Sequence, residues 1–191
     1  TGAAYFWGAQ LEQGMGPSTY ISSLSAPTTR DGDIISFTTT SFMNLTGGAV
    51  AVEAGTKGFT HLGNRGLVGW YQDTLNSMDL LYQASLGASQ FKTATTMGQG
   101  PTLQGASLPA NVMKKFGFSY DGPANTVVFG ETGTAATATT TPIPPSLNTL
   151  YLGCSAGCHD GLAEQFNGVI KRFQYYNTPL TPAQMDLATA P

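Results

Sequence analysis

The chain has 191 residues, with 8 basic and 11 acidic side chains and a formal net charge of −3. Charged residues make up only 10%, against the usual quarter or so, and 24 glycines with many threonines and serines fill the gap. The basic residues fall singly apart from Lys114–Lys115 and Lys171–Arg172, so no clustered basic face is legible and nucleic acid is excluded as a partner. From the N-terminus, residues 14–27 read as an extended connector behind a short leading piece. Ile35 and Phe37 then alternate with polar residues, as do Val50 and Val52. Val68 and Trp70 alternate with Leu67 and Tyr71, a strand with apolar cover on both faces. Met78, Leu80 and Tyr82 share one face.

Phe116, Phe118 and Tyr120 interleave with Lys115, Gly117 and Ser119 before the turn Asp121-Gly122-Pro123. Val127 and Phe129 follow at once, which predicts a hairpin. Residues 132–141 are nearly all Thr, Ala and Gly, and read equally as a flat edge strand or a loop. Leu150 and Leu152 mark a further strand. The run 166–176 has no clean phase: Val169, Phe173 and Tyr175 oppose Phe166, Ile170 and Tyr176. Either both faces are covered or a bulge shifts the register. Thr181, Pro182 and Gln184 spell a capped helix start, with Met185 and Leu187 as its apolar contacts. No apolar run reaches membrane-spanning length. The pattern predicts an all-β sandwich with a short C-terminal helix.

Two stretches resemble known proteins. Ala4-Tyr-Phe-Trp-Gly-Ala-Gln-Leu-Glu-Gln-Gly14 with Pro17-Ser-Thr-Tyr-Ile21, and then Arg30 and Asp33, is similar to a pattern of bacteriophage tail and tailspike proteins. Asn148-Thr-Leu-Tyr-Leu-Gly153 and Phe166-Asn-Gly-Val-Ile-Lys-Arg-Phe-Gln-Tyr-Tyr-Asn-Thr-Pro-Leu180 resemble the end of a concanavalin A-like, laminin G-like lectin domain. The resemblance implies residues 1–27 as the closing strand of an upstream module plus linker. It implies residues 28–191 as a two-sheet antiparallel jelly-roll sandwich of concanavalin A-like type. It further implies a tail fibre or tailspike module in the virion, assembled as a homotrimer.

Candidate chemistry favours binding over catalysis. Gly153-Cys154-Ser155-Ala156-Gly157 spells G-x-S-x-G beside His159 and Asp160, but Cys158 to Gly161 reads as a loop where a helix is needed, and His61 falls on the wrong side of the serine. Cys154, Cys158, His159 and Asp160 crowd one loop, which strains a tetrahedral metal site, so thiols or a local disulfide are expected. Asp160 and Asn167 supply two oxygens where calcium needs six or more, so no cofactor is expected. Glycoside hydrolysis needs two facing carboxylates, placed in the related glucanases as Glu-x-Asp-x-x-Glu on one strand, and nothing like it appears. Asp73 and Asp79 flank a turn, and Glu53, Glu131 and Glu164 stand isolated; all read as solvated loop charges. Sugar binding asks for an aromatic face with amides and carboxylates. His61, Asn64, Arg65, Trp70, Tyr71, Asp73 and Asn76 bring those types together, although the alternation also suits Trp70 to the core. The sequence therefore predicts no catalytic residues, and an adhesion module for host surface glycan. The alternatives are a structural trimerisation or capping module and a polysaccharide depolymerase.

Overall fold

A computed structural model describes residues 35–38, 42–56, 64–73, 76–83, 88–95, 98–106, 109, 111–139, 144, 147–155, 165–166 and 168–191. The predicted connector at 14–27 and the domain boundary at 27/28 lie outside them. Eleven strands and one helix follow in order: β1 (Ile35–Thr38), β2 (Gly47–Thr56), β3 (Asn64–Asp73), β4 (Asn76–Gln83), β5 (Ala88–Thr95), β6 (Gly98–Gln104), β7 (Met113–Asp121), β8 (Thr126–Glu131), β9 (Thr134–Thr139), β10 (Thr149–Leu152), β11 (Gly168–Tyr176) and α1 (Pro182–Thr189). One sheet has the order β1-β10-β3-β4-β5-β6 and the other β11-β2-β7-β8-β9. Every strand pair is antiparallel.

Period-two alternation drives this arrangement, because one face of each strand has to leave water. On β7, Phe116, Phe118 and Tyr120 are fully buried between the sheets, while Gly117 and Ser119 turn to the outer face. Trp70 of β3 meets Phe118 and Tyr120 edge-on, with ring centroids 5.1 and 5.4 Å away. Its indole N–H points at Met43 Sδ, 2.9 Å away. The predicted β7–β8 hairpin is present and closes through residues 122–125, with Asn125 in left-handed backbone. Within the Thr/Ala tract, Thr134–Thr139 form edge strand β9. In β11 the register shifts between Ile170 and Arg172. The bulge turns Ile170, Phe173 and Tyr175 toward the core and leaves Tyr176 on the helix side and Val169 exposed, which resolves the mixed phase.

Tyr120 and Tyr175 tie the loop before β2 to both strands. The Tyr120 hydroxyl donates to the Asn44 carbonyl at 2.6 Å, and the Asn44 N–H donates to Tyr175 Oη at 2.7 Å. Burial, then the neighbouring Tyr175, pushes the Tyr120 phenol far above its usual 10.0. A native pKa above the unfolded one gives stability that is intact below about pH 10 and is lost as pH rises past it. In an ultraviolet absorbance titration, ionisation of Tyr120 is expected to coincide with loss of the sheet circular dichroism. A phenolate step for this residue in still-folded protein would contradict its burial.

The helix covers the outer face of the five-stranded sheet. Thr181 accepts from the Gln184 N–H while the Gln184 side chain accepts from the Thr181 N–H, and Pro182 opens the helix. Met185 is buried against Ala49 and Val128. It approaches so closely that a Cβ added at Gly117 would stand 2.6 Å from its sulfur, and one at Gly130 would collide with its Cγ. Leu187, expected to pack beside Met185, is 78% exposed. Two residues along a helix are about 200° apart, so it faces away. Thr181→Ala removes the cap, with an expected loss of about 1 kcal/mol in denaturant unfolding.

Candidate functional site

A sizeable cleft opens among the described residues, and an ion pair builds it. Glu131 ends β8 and pairs across the hairpin with Thr134 of β9. The two residues between them, Thr132 and Gly133, have φ of 50° and 80°. Two left-handed residues in succession match the mirror-type turn that suits the twist of a hairpin. Glycine adopts that backbone freely, but a β-branched threonine does so only when its surroundings hold it there. The Thr132 N–H donates to the Lys115 carbonyl at 2.9 Å, which helps fix the turn.

Glu131 is only 6% exposed, and its carboxylate accepts from Lys114 Nζ at 2.7 Å and from the Ala106 N–H at 2.7 Å. Ala106 lies just beyond β6, so this one side chain joins the edge of one sheet to the other. The joined edges β6 and β9 leave a cleft of about 420 Å3, lined by Gln104, Ala106, Lys114, Glu131, Thr132 and Thr134. That volume is in the range of small-ligand sites, and its wall alternates hydroxyl, amide and charge with alanine methyls.

The acidic residues thus correct the reading of solvated loop charges. Glu131 closes β8 in a buried pair, and Glu53 lies within β2. Asp79 lies inside β4, 3% exposed, with its carboxylate accepting from Ser77 Oγ at 3.1 Å. Asp73 ends β3, where both of its carboxylate oxygens accept from Asn76 Nδ2 at 2.9 and 3.0 Å, so these two close the β3–β4 turn. Glu164 lies outside the described residues.

The predicted sugar ligands among the described residues are spread along β3 and its turn into β4. Asn64 and Arg65 open β3 while Asp73 and Asn76 flank its far end, eight strand residues and roughly 26 Å away. Trp70 faces the inter-sheet core at 0% exposure, where no sugar ring can stack on it. Tyr71 points the other way, 7% exposed, and meets the Tyr151 ring at 6.4 Å. Arg65 is half-buried, and His61 lies outside the described residues. Ser155 of the G-x-S-x-G spelling is fully buried. Cys154 is disulfide-bonded, which decides between the free thiol and the disulfide that the sequence left open for it. His159, Asp160 and Asn167 lie outside the described residues. Among the described ones, no three His, Cys, Asp or Glu side chains gather to hold a metal.

The hairpin register does contain a signal for the cleft. With Asp121 opposite Thr126, counting back sets Phe116 opposite Glu131 and brings Lys114 to the diagonal position.

No family model matches the chain, and no curated protein matches it. Solved structures do. The CBM40 of a Ruminococcus gnavus IT-sialidase has a TM-score of 0.62 at 17% identity, covering 85% of this chain and 98% of that one. It has also been solved with sialyllactose bound. Domain 4 of a GH43 extracellular arabinanase from Geobacillus stearothermophilus, in complex with arabinotriose, has a TM-score of 0.59 at 17% identity, covering 75% of this chain and 66% of that one. Domains LG4-5 of the mouse laminin alpha1 chain give 0.58 at 13% identity, and the match spans 79% of this chain but only 41% of that pair. Together with the two antiparallel sheets and the short helix, these likenesses identify the fold as a concanavalin A-like jelly roll.

Proposed function

We propose that the chain is a non-catalytic glycan-binding module, the adhesion element of a phage tail fibre or tailspike that engages host surface polysaccharide as a homotrimer. The observation that carries the glycan part is the likeness over nearly the whole length of a carbohydrate-binding module whose complexes hold sialyllactose. The β6–β9 cleft supports it as the saccharide seat, since its wall offers Gln104, Thr132 and Thr134 for hydroxyls. The tail-fibre part rests on the sequence pattern in residues 4–21. Trimer avidity would let a weak single site hold a cell surface.

A glycan array of bacterial surface polysaccharides, followed by calorimetry, is expected to return a saccharide ligand for the intact chain. An empty array and flat calorimetric titrations would sink the binding reading. Gold-labelled antibody on intact virions is expected to decorate the tail, and label elsewhere would sink the tail-fibre part. Shortening of the polysaccharide during incubation would instead favour a depolymerase.

A structural role in the fibre has its own supporting observation. Ile35 and Phe37 on edge strand β1 are 52% and 44% exposed, an apolar edge suited to subunit packing. A stable trimer by light scattering in a protein that binds no glycan would favour this second reading.

A further inference from the structure

The outer face of the five-stranded sheet gathers cations that lie far apart in the chain. Arg172 of β11 pairs with Glu53 of β2, and Glu53 pairs with Lys115 of β7, so the three stand in one cross-strand row. A regular strand sends consecutive side chains to opposite faces, which would separate Lys171 from Arg172. The bulge makes Lys171 the extra residue and removes that constraint. Lys171 Nζ reaches Glu53 Oε1 at 2.7 Å, while Arg172, Lys115 and Gln174 line a depression of about 30 Å3 beside the same carboxylate.

The local charge is the reverse of the whole chain's. Three cations surround one carboxylate, a balance of +2 in a molecule of net charge −3. The hydrogen bond from Lys171 holds Glu53 below the usual carboxylate range, with further pull from Lys171, Lys115 and Arg172, so the balance persists into mildly acid solution. Lys115 also donates to the Ala190 carbonyl at 2.7 Å, which anchors it at the end of α1. Lys171 and Arg172 are exposed and open to a ligand. The depression holds about one small group and not a sugar ring.

We propose that Lys115, Lys171 and Arg172 form a seat for the carboxylate or sulfate substituent of an acidic saccharide, with the Gln174 amide beside it for a neighbouring hydroxyl. Glu53 acts as a positioning residue that holds Lys171 in place. The proposal rests on the glycan-binding reading and narrows it to anionic sugars. A nucleic acid backbone needs a longer basic track, whereas one acidic substituent needs only this cluster.

The test is calorimetry of the intact chain with an oligoglucuronate, its carboxyl-reduced neutral counterpart, a sulfated glucan oligosaccharide and a single-stranded oligonucleotide. One of the two acidic saccharides is expected to bind at least about tenfold tighter than the neutral chain, with affinity falling as salt rises. The preferred one identifies the substituent. Arg172→Ala and Lys171→Ala are each expected to weaken acidic binding about tenfold, while Glu53→Gln, whose amide oxygen still accepts from Lys171 and holds it in place, tightens binding about two- to threefold by removing the competing charge. Circular dichroism checks that each variant is folded. Equal binding of acidic and neutral chains, indifference to Arg172→Ala, or tighter binding of the oligonucleotide overturns the proposal and leaves glycan binding standing. Binding of no saccharide overturns both.

Discussion

Trp70→Ala is expected to lose about 3–5 kcal/mol of unfolding free energy, since truncating a buried aromatic forfeits its transfer energy and leaves a cavity. The loss falls at the high end because the indole is shared. Phe118, Tyr120 and Tyr175 all stand edge-on to it at 5.1–6.2 Å, and its N–H points at Met43 Sδ, 2.9 Å away. Domains of this size hold roughly 5–15 kcal/mol in total, so the variant should unfold at far lower denaturant or fail to accumulate. Trp70→Phe keeps a ring in the slot and separates packing from binding. It is expected to unfold cooperatively at a reduced midpoint with glycan affinity unchanged. A folded Trp70→Phe protein that no longer bound its saccharide would return Trp70 to the ligand set.

The second large effect is expected at Glu131. Glu131→Ala removes the carboxylate that accepts from Lys114 Nζ and from the Ala106 N–H, each at 2.7 Å, in a place only partly open to water. Breaking a buried pair from one side typically costs 3–5 kcal/mol, and the residual 17% exposure of Lys114 moderates this to about 2–3 kcal/mol. Glu131→Gln keeps an acceptor and should lose about half as much. The double variant with Lys114→Ala should lose less than the sum of the two single losses in a denaturation cycle, because the two charges interact directly. Additive losses would show that the pair is not coupled. Saccharide binding at the β6–β9 cleft should weaken with Glu131→Ala even under fully folded conditions, since the linked strand edges form its wall.

The contrast between these residues explains what the sequence could and could not disclose. Phe116, Phe118 and Tyr120 were legible because a strand with one buried face writes its pattern into neighbouring positions. The capped helix was legible because its start is a local contact between residues three apart. By contrast, β5 and β6 carry Gln, Thr, Gly and Pro with little apolar alternation, so nothing local announces them. The cleft is harder still, because it joins Ala106, Lys114 and Glu131 from three strand ends. Glu131 looked like a surface charge since its only sequence neighbours are small or polar, and its partner comes from register. Asn64 and Arg65 stand apart from Asp73 and Asn76 for the opposite reason. Nearness along an extended strand is distance in space, at about 3.3 Å per residue.

The thin seam beneath α1 has a dynamic consequence. Among the described residues, Ala49, Val128 and Met185 are its buried apolar contacts, against seventeen buried residues between the sheets. Segments held by so few contacts open on their own well before the whole molecule melts, and they form a separate unit in hydrogen exchange. The C-terminal helix is therefore expected to open before the strands it covers, which stay protected. Each such excursion lets go of Lys115 at the Ala190 carbonyl and lends the cationic face a third movable arm.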